Sequence, residues 1–321
     1  AMANVPLFNP NNHNQSPRWH WRNRTVSDRF EPGSTMKVFS IATAIEAGAF
    51  RPDTRLYCEN GEYAIGRNIV HDTKRHEWLT ITDIVRLSSN IGAVKVGEKI
   101  GPERLYTSLK EFGFGTRTGI NCPGETTGRL SPYKRWSKID AGAISFGQGL
   151  SVSALQLATA TSAIANGGVL MRPYIVSRVT DARGREIEAY GPQPVRRVIS
   201  VDTAAIVSRM MQAVVESGTG TMAALDEYQA SGKTGTAQKT HKGGGYDEEN
   251  FIASFAGFVP SENPELVILV VVDEPEDSHY GGTVAGPAFR KIAESTLDYL
   301  NIAPTKGRRD LIVSRESEAT G

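Results

Sequence analysis

The hydrophobic period of this 321-residue chain changes after Gly218. Upstream of it, apolar residues recur at helical spacing. Val38, Ile41, Ala42 and Ile45 form one stripe closed by Gly48, which predicts a helix over 34–47. Thr80-Ile81-Thr82-Asp83 opens a second helix carrying Ile84, Val85 and Leu87. Ser153 to Asn166 reads as a third, closed by Gly167-Gly168. Asp202 reads as the cap of a fourth, with Ile206, Met210 and Val214 on one face. Downstream, Phe251 to Val259 and Leu266 to Val272 are strand-like runs separated by the turn cluster Pro260-Ser261-Glu262-Asn263-Pro264. Strands joined by so short a turn pair antiparallel. A closing helix is read over Val284 to Leu300, with Phe289, Ile292, Ala293, Leu297 and Leu300 in phase.

At the other end, residues 18–30 alternate in part and read as a strand, with Trp19 and Trp21 on one core-facing side. From about 51 to 180 the pattern is mostly helical with glycine breaks. The expected fold class is therefore α/β of the α+β type: an antiparallel sheet flanked by helices, plus a mostly helical lobe. The sheet lobe takes about 1–50 and 220–304, and the helical lobe about 51–219. Lys242-Gly243-Gly244-Gly245 reads as a flexible loop, and the polar residues 305–321 as a disordered tail.

Composition narrows the function classes. Net charge is +1, which gives no broad electrostatic case for a nucleic-acid partner. The notable apolar run Leu266 to Val272 is far too short to span a bilayer. Cys58 and Cys122 have no CxxC partners, so a disulfide, two free thiols, or one buried and one exposed thiol all stay open. His71 and His76 lie five apart, share no helix face well, and read as solvated or loop histidines. No metal or cofactor is implied.

The stretch Phe30-Glu31-Pro32-Gly33-Ser34-Thr35-Met36-Lys37 sets a serine and a lysine on one face at a helix start. Alone this S-x-x-K is weak. Ser34 or Thr35 could simply cap the helix, and Ser131-Pro132-Tyr133-Lys134 repeats the pattern. Two more motifs sharpen it: Ser88-Ser89-Asn90 near the end of a helical segment, and Ser231-Gly232-Lys233-Thr234-Gly235-Thr236 at a strand start. The other S-x-N, Ser261-Glu262-Asn263, falls after the only K-T-G. Only Ser34, Ser88 and Lys233 give the order S-x-x-K, S-x-N, K-T-G, the signature of penicillin-binding proteins and class A β-lactamases, where the second motif is S-D-N.

On these motifs the chain resembles the transpeptidase domain of class B penicillin-binding proteins, the D-Ala-D-Ala transpeptidases of peptidoglycan synthesis. The likeness extends to LFNPNN (7–12), RNRTVSDRFEPGSTMK (22–37), LTITDIVRLSSNIG (79–92), SFGQGLSVSALQLATATSAIANGG (145–168), GKTGTAQK (232–239), ASFAGFVP (253–260) and YGGTVAGPAF (280–289), and so to residues 1–304. It implies the penicillin-binding and serine β-lactamase-like fold. It implies Ser34 as nucleophile, Lys37 as its base, Ser88 as proton relay to the leaving amine, and Lys233 as the adjacent cation. Asn90 would hold the substrate amide, while Lys233 and Thr234 would hold the terminal carboxylate. Gly235 would let substrate lie close to the strand, and the backbone N–H groups of Ser34 and Thr236 would form the oxyanion hole. Tyr280, Gly281 and Gly282 either line the cleft edge or form a turn before the last helix.

To act as a base, Lys37 must fall from a pKa near ~10.4, by desolvation or by a nearby cation, which Lys233 could supply. The expected partners are stem peptides, β-lactams bound covalently at Ser34, a SEDS-type glycosyltransferase and divisome membrane proteins. Phe30-Glu31-Pro32-Gly33 fits the division or spore-septum branch better than the elongation branch. The opening Ala1-Met2-Ala3 resembles the end of a family strand. A membrane anchor and a non-catalytic module are therefore expected upstream, with the catalytic domain extracytoplasmic. The alternatives are a serine β-lactamase and a non-catalytic β-lactam sensor or scaffold. Against the first, the region around Glu125 follows the transpeptidase pattern; against the sensor, Asn90 stands where class D enzymes usually carry valine.

Overall fold

The computed structural model describes residues 1–240 and 245–306. The chain opens without a strand. Residues 10–21 form two 3-10 segments, Pro10–Gln15 and Arg18–Trp21, and Arg24–Ser27 is one helical turn, α1. Gly33–Met36 is a 3-10 turn that runs directly into α2 (Lys37–Glu46). A small strand-rich region follows, with β1 (Arg55–Tyr57), β2 (Glu62–Ile65), β3 (Asn68–His71) and β4 (Trp78–Thr80), where β1 pairs with β4 and β2 with β3. Helices α3 (Ile81–Arg86), α4 (Asn90–Ile100), α5 (Pro102–Glu111), α6 (Lys138–Ser145) and α7 (Ala154–Ala165) come next. Beyond them β5 (Val169–Arg172) pairs with β8 (Gln193–Arg197), and β6 (Arg178–Thr180) with β7 (Glu186–Ala189). Helix α8 (Val201–Ser217) precedes the main sheet of β9 (Ser231–Thr240), β10 (Tyr246–Val259) and β11 (Leu266–Asp273). Two helices, α9 (Gly281–Val284) and α10 (Gly286–Tyr299), close the described fold.

Capping chemistry sets many of these boundaries. Thr80 and Asp83 form a reciprocal capping box on α3, Ser137 and Asp140 one on α6, and Ser153 and Gln156 one on α7. Helix α2 is buried from Lys37 through Ala44. Its Phe39 meets Phe112 and Phe114 edge-on, each at 5.0 Å between ring centres. Its polar side chains are satisfied internally: Ser40 donates to the Ser145 carbonyl at 2.9 Å and Thr43 to that of Phe39 at 2.7 Å.

The main sheet has the order β11-β10-β9, all antiparallel, so β9 is an edge strand. Period-two alternation sends its residues to two cores. Phe258, Ile252, Val267, Leu269 and Val271 join the core around α2 and α7. Phe255, Val259, Ile268 and Val270 join a second core with α10, where Phe255 and Phe289 lie 4.7 Å apart.

Several expectations are corrected. Residues 18–30 are not a strand: Pro17 starts a 3-10 turn, and only Phe30 bridges, to Val152. Trp19 is 58 % exposed and Trp21 half-buried against His13, so neither is a core residue. The sheet takes no strand from the N-terminal end, so the sheet lobe draws its described strands from 231–273, and no named strand begins before Arg55. The 51–180 region carries six strands, β1 to β6, as well as helices, because its short alternating runs pair antiparallel. Ser200, not Asp202, caps α8, by accepting from the Thr203 N–H; Asp202 sits in the first turn, where a carboxylate suits the helix dipole. The closing helix breaks at Ala285, before Pro287, and leaves Ile292 and Leu300 exposed. Cys58 and Cys122 are both free thiols, the first buried and the second half-buried. The backbone N–H groups of Thr305 and Lys306 donate to the Glu227 carbonyl, so the expected tail starts later than 305. The rest of it, 307–321, and Lys242, Gly243 and Gly244 of the expected flexible loop lie outside the described residues.

Candidate active site

The three motifs converge on one cluster of side chains. Lys37, the first residue of α2, is fully buried. Its Nζ lies 2.9 Å from Ser34 Oγ, 2.6 Å from the Ser88 carbonyl, 3.1 Å from Ser88 Oγ and 2.7 Å from Asn90 Oδ1. Lys233, also fully buried, reaches Ser88 Oγ from the other side at 3.0 Å and Thr234 at 3.1 Å (carbonyl) and 3.2 Å (Oγ1). Ser88 thus stands between two lysines, with Ser34 beyond one of them.

The turn that presents Ser88 is backbone-strained. Ser88 has φ +63°, a region that non-glycine residues enter at a cost of about 1–3 kcal/mol. Asp72, just after β3, holds the turn. Its carboxylate accepts from Ser89 Oγ at 2.6 Å, from the Ile91 N–H at 3.1 Å and from the Asn90 N–H. Ser89 in turn caps α4 by accepting from the Gly92 N–H at 2.9 Å. Its hydroxyl therefore faces away from Lys37, toward Asp72 and Cys58. Asn90 donates from Nδ2 to the His71 carbonyl at 2.9 Å, which orients its Oδ1 toward Lys37. One Nδ2 hydrogen and one Oδ1 lone pair remain for another partner.

On β9, Thr234 Oγ1 pairs with Thr219 Oγ1 at 2.8 Å. Thr236 Oγ1 accepts from the Gly281 N–H at 3.1 Å, tying the 274–281 segment to this strand. Gly235 permits a close approach, but to the protein itself. A Cβ there would lie 2.9 Å from the Pro32 carbonyl and 2.3 Å from Ser254 Oγ, so the first-motif turn packs against this face of the strand. Gly281 is buried, and its Cβ would meet the Gly235 and Ser254 carbonyls at 2.3 Å. It is a packing residue, the first of α9. Tyr280 is 51 % exposed, with its ring 4.3 Å from His279, which stacks on Phe251. The segment is a turn into the helix that starts at Gly281, with Tyr280 exposed just before it.

Burial sets the electrostatics. It lowers the Lys37 pKa to about 7, with Asp72 pulling in the opposite direction. Lys233 is held well below its ordinary value, first by burial and then by the charge of Lys37. Of the two expected causes for Lys37, desolvation does the lowering. Two ammonium groups on one hydroxyl repel, so the pair titrates as a unit. Among the described residues, no group of three or more His, Cys, Asp or Glu could hold a metal ion, and no helix is long and apolar enough to cross a membrane.

Sequence reasoning did not find Asp72, Thr219 or Glu31. Asp72 lies 16 residues before Ser88 with no motif around it, and only the fold brings it to the turn. Glu31 was inside the quoted first motif, but nothing in the spacing gave it a partner. Its carboxylate accepts from the Gly149 N–H at 3.0 Å and from the Tyr246 hydroxyl at 3.2 Å. Glu125 holds its own loop, accepting from Thr118 and from the Gly119 N–H.

Residues 1–294 match the family model described as the penicillin binding protein transpeptidase domain. The chain is 39 % identical over 308 residues to the probable peptidoglycan D,D-transpeptidase PenA of Neisseria meningitidis, covering 95 % of this chain and 51 % of PenA. It thus spans about half the length of that curated relative. The transpeptidase domain of Burkholderia pseudomallei penicillin-binding protein 3 superposes with a TM-score of 0.81 at 38 % identity, covering 89 % of this chain and 84 % of that one. Penicillin-binding protein 3 of Mycobacterium tuberculosis, in a structure complexed with aztreonam, gives 0.82 at 36 % identity, covering 88 % and 65 % respectively.

Proposed function

This chain belongs to the penicillin-binding protein transpeptidase family, and from that premise we propose that it forms an acyl-enzyme on Ser34 and transfers the acyl group between peptidoglycan stem peptides. The observation that carries the proposal is the convergence of the three motifs, with the buried Lys37 Nζ 2.9 Å from Ser34 Oγ and 3.1 Å from Ser88 Oγ, and Lys233 Nζ 3.0 Å from Ser88 Oγ. Two neighbours of Lys37, the Ser88 carbonyl and Asn90 Oδ1 in its present orientation, only accept. A neutral amine has two N–H bonds for these two acceptors and one lone pair left. In that form the lone pair is free to accept the hydroxyl proton of Ser34, whose Oγ lies 2.9 Å away. A lysine with a pKa of about 7 supplies this neutral form at working pH.

In the acylation step Lys37 takes the Ser34 proton as Oγ attacks the carbonyl of the penultimate D-Ala. The proton passes through Ser88 to the leaving amine, whose C–N bond breaks as the C–O bond forms. The terminal carboxylate lies against Lys233 and Thr234. Its charge restores the Lys233 proton, and a charged Lys233 in turn keeps Lys37 neutral. The N–H groups of Ser34 and Thr236 stabilise the oxyanion. Because β9 is an edge strand, its free side can take an extended peptide. An amine from a second stem then attacks the ester, and its proton returns by way of Lys37 to Ser34 Oγ. β-Lactams acylate the same serine.

On the same reading the domain works at the extracytoplasmic face of the cell membrane, where its substrate is. It belongs there to a division or spore-septum assembly with a SEDS-type glycosyltransferase, as the sequence Phe30-Glu31-Pro32-Gly33 supports. A D-Ala-D-Ala thioester donor with an added amine acceptor tests the activity. Amide product, together with a penicillin adduct that persists for hours, supports a transpeptidase. Rapid loss of the adduct with hydrolysed drug accumulating contradicts it in favour of a β-lactamase.

A further inference from the structure

We propose that Glu31 forms a subsite for a cationic side chain on the donor peptide, at the residue immediately before its D-Ala-D-Ala end. The inference rests on the transpeptidase reading above and adds to it a determinant of donor choice. Strand β9 acts as the ruler. With the terminal carboxylate at Lys233 and Thr234 and the scissile carbonyl near Thr236, the donor runs along β9 toward Thr240 at about 3.3 Å per residue. The residue before D-Ala-D-Ala therefore lies beside the half of β9 beyond Thr236.

Glu31 borders that half. Gly33, two residues on, packs so tightly on β9 that a Cβ there would be 2.7 Å from the Thr236 carbonyl oxygen and 3.3 Å from the Ala237 Cβ. Tyr246, whose hydroxyl holds Glu31 Oε2, is the ladder partner of Thr240. The 147–149 segment closes the other side, with the Gly147 carbonyl accepting from the Gly33 N–H at 3.1 Å and the Gly149 N–H donating to Glu31 Oε1. The carboxylate is thus fixed by two neutral donors, each occupying one of its oxygens. A lone pair remains on each oxygen. Among the described residues no cation pairs with it, and burial raises its pKa. A half-buried carboxylate with no cation among the described residues is costly, and an incoming ammonium offsets that cost. Stem peptides that cross-link through a side-chain amine carry this group at that residue, and on an uncrosslinked donor it is a free ammonium.

The test compares three donors: Nα-acetyl-L-Lys-D-Ala-D-Ala with a free ε-ammonium, the same peptide with the ε-amine acetylated, and the same peptide with the ε-amine succinylated. The readout is the rate of Ser34 acylation by intact mass. Wild type is expected to favour the free ammonium about fivefold, the upper end for an exposed ion pair of about 1 kcal/mol. Glu31→Gln should bring the ratio near one, and Glu31→Lys should reverse it in favour of an ε-succinylated donor. The charge reversal is a readout that a purely structural role would not move, and a thermal melt checks that each variant folds. An unchanged ratio in Glu31→Gln, or equal rates in wild type, overturns the inference alone. Failure of all three donors to acylate Ser34 in wild type overturns the transpeptidase reading and the inference with it.

Discussion

Asp72→Asn keeps the shape of a side chain and removes its charge. In the wild type that carboxylate accepts three hydrogen bonds, from Ser89 Oγ and from the N–H groups of Asn90 and Ile91, at the start of α4. Bonds to a charged acceptor are roughly twice as strong as neutral ones. Losing the charge on three of them should cost about 2–3 kcal/mol. At a few degrees per kcal/mol this lowers Tm by about 5 °C. A second effect separates this from plain destabilisation. Asp72 raises the pKa of Lys37 against the stronger effect of burial. Removing its charge must therefore lower the Lys37 pKa further. If neutral Lys37 is the base, acylation by a penicillin rises as pH passes through that pKa. The acid limb, near pH 7 in wild type, then moves to lower pH in Asp72→Asn. Stopped-flow or quenched acylation from pH 5 to 9 reads the limb directly. A limb that stays in place, or moves up, refutes the electrostatic link between Asp72 and Lys37 even if the Tm falls as expected.

Lys37 also leaves a mark on stability. Its folded pKa of about 7 lies below the roughly 10.4 of an unfolded lysine, so between those values the unfolded state binds the extra proton and stability rises with pH. Relative to Lys37→Met, wild type should gain about 1.4 kcal/mol per pH unit between roughly pH 7.5 and 9 in denaturant unfolding; a flat difference contradicts a depressed lysine. Gly235→Ala places a Cβ 2.9 Å from the Pro32 carbonyl, so the first-motif turn must shift and penicillin acylation should fall at least tenfold with about 1–3 kcal/mol of stability lost. Acylation at the wild-type rate would show that the turn has room. Phe39→Ala empties the contact with Phe112 and Phe114 and should cost about 3–5 kcal/mol by the same unfolding assay.

The parts of this site that the sequence made legible are those with local chemistry. Ser34 and Lys37 share a helix face by spacing alone, and Thr80 with Asp83 announces the helix before the second motif. The ordered triple of S-x-x-K, S-x-N and K-T-G then points to the cluster from sequence alone. What stayed hidden depends on contacts distant in sequence. Asp72 reaches the Ser88 turn only because the β2–β3 hairpin delivers it there. The need for glycine at 235 comes from Pro32 and Ser254, which crowd its Cβ position and are distant from it in sequence. The tryptophans at 19 and 21 alternate like a strand but find no neighbouring strand to pair with, and a 3-10 turn after Pro17 takes the segment instead.

The most direct measurement is intact mass with a labelled penicillin, followed by peptide mapping, on wild type and Ser34→Ala. A single adduct on the peptide that contains Ser34, absent from the alanine variant, is the predicted result. An adduct that maps elsewhere or survives Ser34→Ala would contradict the assignment of Ser34 as the nucleophile.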